Sequence, residues 1–110
     1  MHITLLYAWE ELHLAVVALA ALRDPLKERL SLAYSNNLAV LEPEDVPDVI
    51  KAKFKAVHDK ITEVEAIGGE GRIRASVAAM SDEDASHLAE DIVSMYGDIT
   101  RAHALAGPAS

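Results

Sequence analysis

The chain has 110 residues, no cysteine and a formal charge of −8 at neutral pH; 51% of it is apolar, yet it holds one Trp, one Phe and three Tyr. That length bounds it to one domain around a single core, and the missing thiols exclude disulfides, thiolate metal sites and cysteine nucleophiles. A core of Leu, Ala, Val and Ile suits packed helices better than a sandwich or barrel, and the acidic balance disfavours direct nucleic-acid binding, because neutralising phosphates needs a basic patch.

The first predicted helix runs from Ile3 to Leu22 and is apolar nearly all round. At 100° per residue its strongest stripe is Leu5, Trp9, Leu12, Val16 and Leu19, with a second stripe of Ile3, Leu6, Leu14 and Val17 flanking Glu10. A membrane span is not expected, because Glu10, Glu11 and His13 fall in the middle of the segment, where charge is costly in hydrocarbon. A signal peptide is not expected either, because no basic residue precedes the apolar run; cytoplasmic residence is the expectation. So apolar a helix is either surrounded by its own domain or shared with a second copy. A homodimer is expected, with Leu5, Trp9, Leu12 and Val16 near or in the interface.

The second helix is predicted to start with Asp24 as N-cap and Pro25 at the first helical position, where the missing N–H is harmless. Leu26, Leu30, Ala33, Leu38 and Leu41 would form its apolar face, interrupted by Asn36 and Asn37, whose side chains compete for backbone hydrogen bonds. Glu42-Pro43 stops it, and Glu44, Asp45 and Pro47 open a third helix carrying Val49, Ile50, Phe54, Val57 and Ile61. Lys51, Lys55 and Asp59 fall on its solvent face. The second and third helices are thus expected to form a central αα-hairpin joined by a short turn.

Gly68, Gly69 and Gly71 mark a loop, followed by Arg72 to Met80, read as a short helix. Ser81 then caps the last helix, with Asp84 in a capping-box-like position and Asp82 and Glu83 at its positive end. Ala85, Leu88, Ala89, Ile92, Met95, Tyr96 and Ile99 form its apolar face. The predicted architecture is all-α: a four-helix bundle-like single domain over residues 1–105, with 106–110 as a flexible tail.

The acidic residues are unevenly spread. Residues 66–110 hold seven acids and three bases, and Asp82, Glu83, Asp84, Glu90, Asp91 and Asp98 fall in a stretch from Ala75 to Thr100 without Lys or Arg. Such a face either keeps the protein hydrated or docks a basic partner; Asp82, Glu83, Glu90 and Asp91 are its candidate contacts. Glu10–His13 and Asp84–His87 repeat an i, i+3 spacing used by di-iron bundles, but the inward carboxylates required from the other helices are lacking. No catalytic, cofactor or metal residue is assigned. Ser31, Ser35 and Ser76 lack a His and an acid at motif spacing. Gly68-Gly69-Glu70-Gly71 has neither the preceding strand nor the Lys-Ser/Thr of a phosphate cradle. Arg72 and Arg74 form a basic pair beside the glycines, able to contact an anion or simply to be solvated.

The segment ERLSLAYSNNLAVLEPEDVP, continued by Phe54 and Thr62, together with the later AAMSDEDASHLAEDIVSMY block, resembles a family of small uncharacterised bacterial helical proteins, accessory products of chromosomes and mobile elements. The resemblance spans about Trp9 to Asp98, and its most specific element is Leu41-Glu42-Pro43-Glu44-Asp45-Val46-Pro47. It implies an all-helical fold and transfers no catalytic or binding residue. The function expected is that of a non-enzymatic helical protein acting through protein–protein contacts and self-association. The alternatives are an acidic inhibitor or nucleic-acid mimic of counter-defence type, and a small-ligand or metal-binding bundle.

Overall fold

Thr4 fixes the start of the first helix: its backbone is extended (φ −70°, ψ 159°) and its hydroxyl accepts a hydrogen bond from the Tyr7 amide. In the computed structural model, which describes residues 2–66 and 71–107, five α-helices follow one another: α1 (Leu5–Ala21), α2 (Leu26–Ala33), α3 (Asp48–Ile61), α4 (Arg72–Ala79) and α5 (Asp82–Ala106). The described residues contain no strand, and the protein is an all-α, bundle-like single globule. Among these residues no helix is long and apolar enough to cross a membrane.

The long α5 is the spine, packing against α1, α2 and α3, while α4 closes one end across α2 and α3. Ser81 caps α5 as its sequence position requires, accepting from the Asp84 amide at 3.0 Å. Asp84 itself turns its carboxylate to Lys60 of α3, 3.6 Å away. The buried residues Ala85, Leu88, Ile92, Met95 and Ile99 bring the apolar face of α5 onto the core.

At α2 the expected cap is displaced. Pro25 occupies the N-cap position with ψ 157°, so the helix begins one residue later than predicted, and no side chain caps it. Asp24 contributes its carbonyl, which accepts from Arg29 Nε at 2.8 Å. The predicted run to Leu41 also divides: α2 ends at Ala33 and passes into a π turn over Tyr34–Leu38, where the Ala39 amide reaches Tyr34 O at 2.8 Å. Asn37 donates to Ala33 O, and this side chain–backbone competition falls where the ordinary i to i−4 ladder widens.

The connection from Ala39 to Pro47 is longer than the short turn expected, and it is part of the core. Leu41, Val46 and Pro47 are buried, and the Ile3 amide donates to Asp45 O at 3.0 Å, which ties the amino terminus to the turn. The hairpin is therefore not a simple side-by-side pair: α2 packs on α1, α4 and α5, and Tyr34 carries contact across to α3, with its ring 6.5 Å from Phe54 and its hydroxyl 2.9 Å from His58 Nδ1. Ile50, Phe54, Val57 and Ile61 are buried as their spacing predicts, but Val49 is exposed. The predicted glycine loop retains Gly71, at φ +81°, within view; Gly68 and Gly69 lie outside the described residues. Ala106, the first residue of the predicted tail, is the last residue of α5, and Gly107 follows at φ +77°; residues 108–110 lie outside the described residues.

Candidate interaction surface

Which face of α1 is buried could not be read from large apolar residues. The buried set is Ala8, Leu12, Ala15 and Leu19, at a helical spacing that alternates small and large. Alanine at two of these positions lets the backbone of α1 approach α5 and α2 closely, and Leu12 and Leu19 fill the intervals. Leu12 is consequently removed from any interface, because its side chain is enclosed by the subunit's own core.

The other three residues expected at an interface are placed at its edges. Leu5, Trp9 and Val16 are half-buried and pack against the core. Trp9 Nε1 donates to Thr100 Oγ1 at 3.0 Å, and Thr100 in turn donates to Tyr96 O at 2.7 Å. The Trp9 ring lies nearly parallel to His13 at 5.3 Å, with Tyr96 beside both. Trp9 thus fastens α1 to α5. His13 is accounted for by this ring stack, and Glu10 is exposed beside it. Glu11 is partly shielded; burial, assisted by the neighbouring Glu10 charge, raises its carboxyl above the ordinary range.

The outward face of α1 belongs to the second stripe. Leu6, Leu14 and Val17 are exposed by 42%, 48% and 44%, and Tyr7 and Leu22 stand outward with them. A separate open apolar groove of about 540 Å³ lies between the carboxyl-terminal half of α1 and the middle of α5, bordered by Val16, Leu19, Ala20, Ala89 and Val93. Arg29 sits at its end, with its guanidinium turned to the Leu19 carbonyl at 2.6 Å, and Glu90 stands on the opposite lip.

The acidic face of α5 is less uniform than its sequence suggests. Lys53 of α3 reaches Asp98 at 3.3 Å and Ser94 at 2.7 Å, and Arg101 pairs with Asp98 from the next turn. Lys60 joins Asp84 to Glu63, and the hydrogen bond that Lys60 donates to Glu63 raises the lysine pKa above its usual value. Among the described residues Asp82, Glu83, Glu90 and Asp91 have no ion-pair partner; Asp91 is half-buried and the other three are exposed.

Other polar clusters do not converge. Glu10–His13 and Asp84–His87 do not meet in a shared site, and no group of three or more metal-ligating side chains able to hold an ion gathers among the described residues. Tyr34 is buried, and burial, with Asp59 and Glu42 adding to it, pushes its phenol well above the ordinary value; it stays a neutral hydrogen-bond partner of His58. The chain matches no protein-family model, no curated protein and no solved structure.

Proposed function

We propose that this protein is a non-enzymatic helical module that acts through protein–protein contact and self-associates through the outer face of α1. The carrying observation is the set of exposed apolar side chains Leu6, Tyr7, Leu14 and Val17 on α1, with Glu10 among them, together with the apolar groove beside Ala20 and Val93. Exposed apolar surface gathered on one helix is characteristic of interaction sites, whereas scattered single residues are not. Size complementarity supports a second copy as the occupant. An antiparallel pairing about Leu14 sets Tyr7 of one copy against Ala21 of the other, large against small, in an isologous two-fold contact.

The test is solution mass at micromolar concentration by sedimentation equilibrium, on the native chain and on Leu14→Glu and Val17→Glu. The native chain is expected as a dimer and both variants as folded monomers, with unchanged helical circular dichroism. A monomeric native chain across the accessible range rejects the reading.

A second reading rests on Asp82, Glu83, Glu90 and Asp91, which have no ion-pair partner among the described residues, while Asp84 and Asp98 pair with lysines of α3. Those carboxylates suit a basic protein surface in the manner of a nucleic-acid mimic. The corresponding test is a salt-dependent complex with a basic nucleic-acid-binding protein, abolished by Glu90→Lys with Asp91→Lys.

A further inference from the structure

The two buried serines among the described residues are treated differently. Ser76 accepts a hydrogen bond from the Val64 amide at 2.9 Å, whereas Ser31, only 4% exposed, has no side-chain hydrogen bond among the described residues. A buried hydroxyl without a partner is destabilising, and such groups in native folds call for an explanation. Ser31 borders a depression of about 530 Å³ formed where α2, the π turn and the start of α4 meet.

The rest of that depression is rich in donors. Gly71, at φ +81°, leads into α4 without a side-chain cap, and the first amide of the helix to find a backbone acceptor is that of Ala75, bonded to Gly71 O. Among the described residues the amides of Arg72, Ile73 and Arg74 have no backbone acceptor, and they form the positive end of α4. Arg72 and Arg74 add two guanidinium groups from the same turn, and the widened backbone of the π turn sets Ser35 and Asn36 on the facing wall. Both arginines now rest on carboxylates, Arg72 on Glu65 at 3.2 Å and Arg74 on Glu28 at 3.3 Å. These pairs are exposed and therefore weak, so a more strongly charged guest exchanges with them readily.

We propose that this depression binds a small organic phosphate monoester, with its phosphate at the α4 amino terminus between Arg72 and Arg74 and the Ser31 hydroxyl as a buried donor. Phosphate is favoured over carboxylate by the number of donors: backbone amides, two guanidinium forks and a hydroxyl match a dianion with three acceptor oxygens. A monoester is favoured over free phosphate because the space exceeds one phosphate and includes the apolar flanks Leu32 and Ile73. The inference stands apart from self-association through α1, since none of these residues lies on that helix.

The test is a titration of the full chain, followed by amide proton–nitrogen NMR, with phenyl phosphate, inorganic phosphate and benzoate as probes. Phenyl phosphate is expected to shift the Arg72, Ile73 and Arg74 amides saturably, with inorganic phosphate weaker and benzoate weakest. Ser31→Ala, and separately Arg72→Gln with Arg74→Gln, should each weaken phenyl phosphate by about tenfold. The arginine variant alters exposed side chains alone and so stays informative if the Ser31 variant is unfolded. Absence of saturable shifts at these amides overturns the proposal, as does benzoate binding equal to phenyl phosphate. Undiminished affinity in the folded variants overturns it too.

Discussion

In α3 the buried residues Ile50, Phe54, Val57 and Ile61 are large and apolar, set against lysines, Asp48 and Asp59 on the outer side; in α1 the buried residues include two alanines, while Leu6, Tyr7, Leu14 and Val17 stand outside. The caps differ as well: Thr4 bonds the first turn of α1, and Pro47 begins α3 with no side-chain cap. Large apolar side chains identify the buried face only when the remainder of the helix is polar. Where a helix is apolar all round, transfer from water favours several orientations about equally, and the one permitting the closest backbone approach is selected.

The largest test of this contrast is Phe54→Ala, which removes a fully buried ring from α3 and should cost about 3–5 kcal/mol in urea unfolding. A near-native midpoint would show that α3 does not rely on its periodic face. In α1 the discriminating pair is Leu12→Ala and Leu14→Ala, two residues of equal size on opposite faces. The first should cost about 2–5 kcal/mol. The second, measured at dilution where assembly does not contribute, should stay within about 0.5 kcal/mol. Equal losses would mean that the outer face of α1 is buried after all.

Ala15→Leu should be destabilising by about 1–3 kcal/mol, because Ala15 has no exposed surface and the added methylenes must displace a neighbouring helix. A neutral outcome in thermal melts would remove close approach as the reason for the chosen face. Thr4→Ala should cost about 1 kcal/mol through loss of the cap on α1, whereas Asp24→Ala, whose carboxylate caps nothing, should cost less in the same assay.

The smallest effect concerns Glu11. Its raised folded-state pKa means that the folded chain holds this proton more tightly than the unfolded chain. The contribution to stability is present in full below the ordinary carboxylate value and falls as pH rises through the folded one. Glu11→Gln removes that fall, so its stability relative to the native chain should rise between acid and neutral pH. Urea midpoints at the two pH values check the sign.

The sequence was legible at most places where a signal was local. Ser81 before Asp82-Glu83-Asp84 makes an N-cap, and the spacing of Ile50, Phe54, Val57 and Ile61 defines one face. The Asn36-Asn37 interruption falls within the π turn. At Asp24-Pro25 the local signal failed, because the extended backbone of Pro25 shifts the start of α2 by one residue. In the stripe through Leu5, Trp9, Leu12 and Val16, Leu12 is enclosed by the subunit's own core and the other three are half-buried against it. Two alanines placed seven apart, Ala8 and Ala15, were the available sign of a close helix contact.

By itself the sequence determined the helical class, the buried face of α3 and α5, the Ser81 cap and an acidic exterior, all of which depend on residues within a few turns of one another. Only the tertiary structure decided which side of α1 faces inward, because α5 and α2 select it by close packing across the chain. It alone brought Lys53 and Lys60 onto Asp98 and Asp84, while Asp82, Glu83, Glu90 and Asp91 of α5 have no ion-pair partner among the described residues. It alone brought Ser31 to the start of α4, since burial of a hydroxyl beside two arginines forty residues away is a property of packing, which no local pattern encodes.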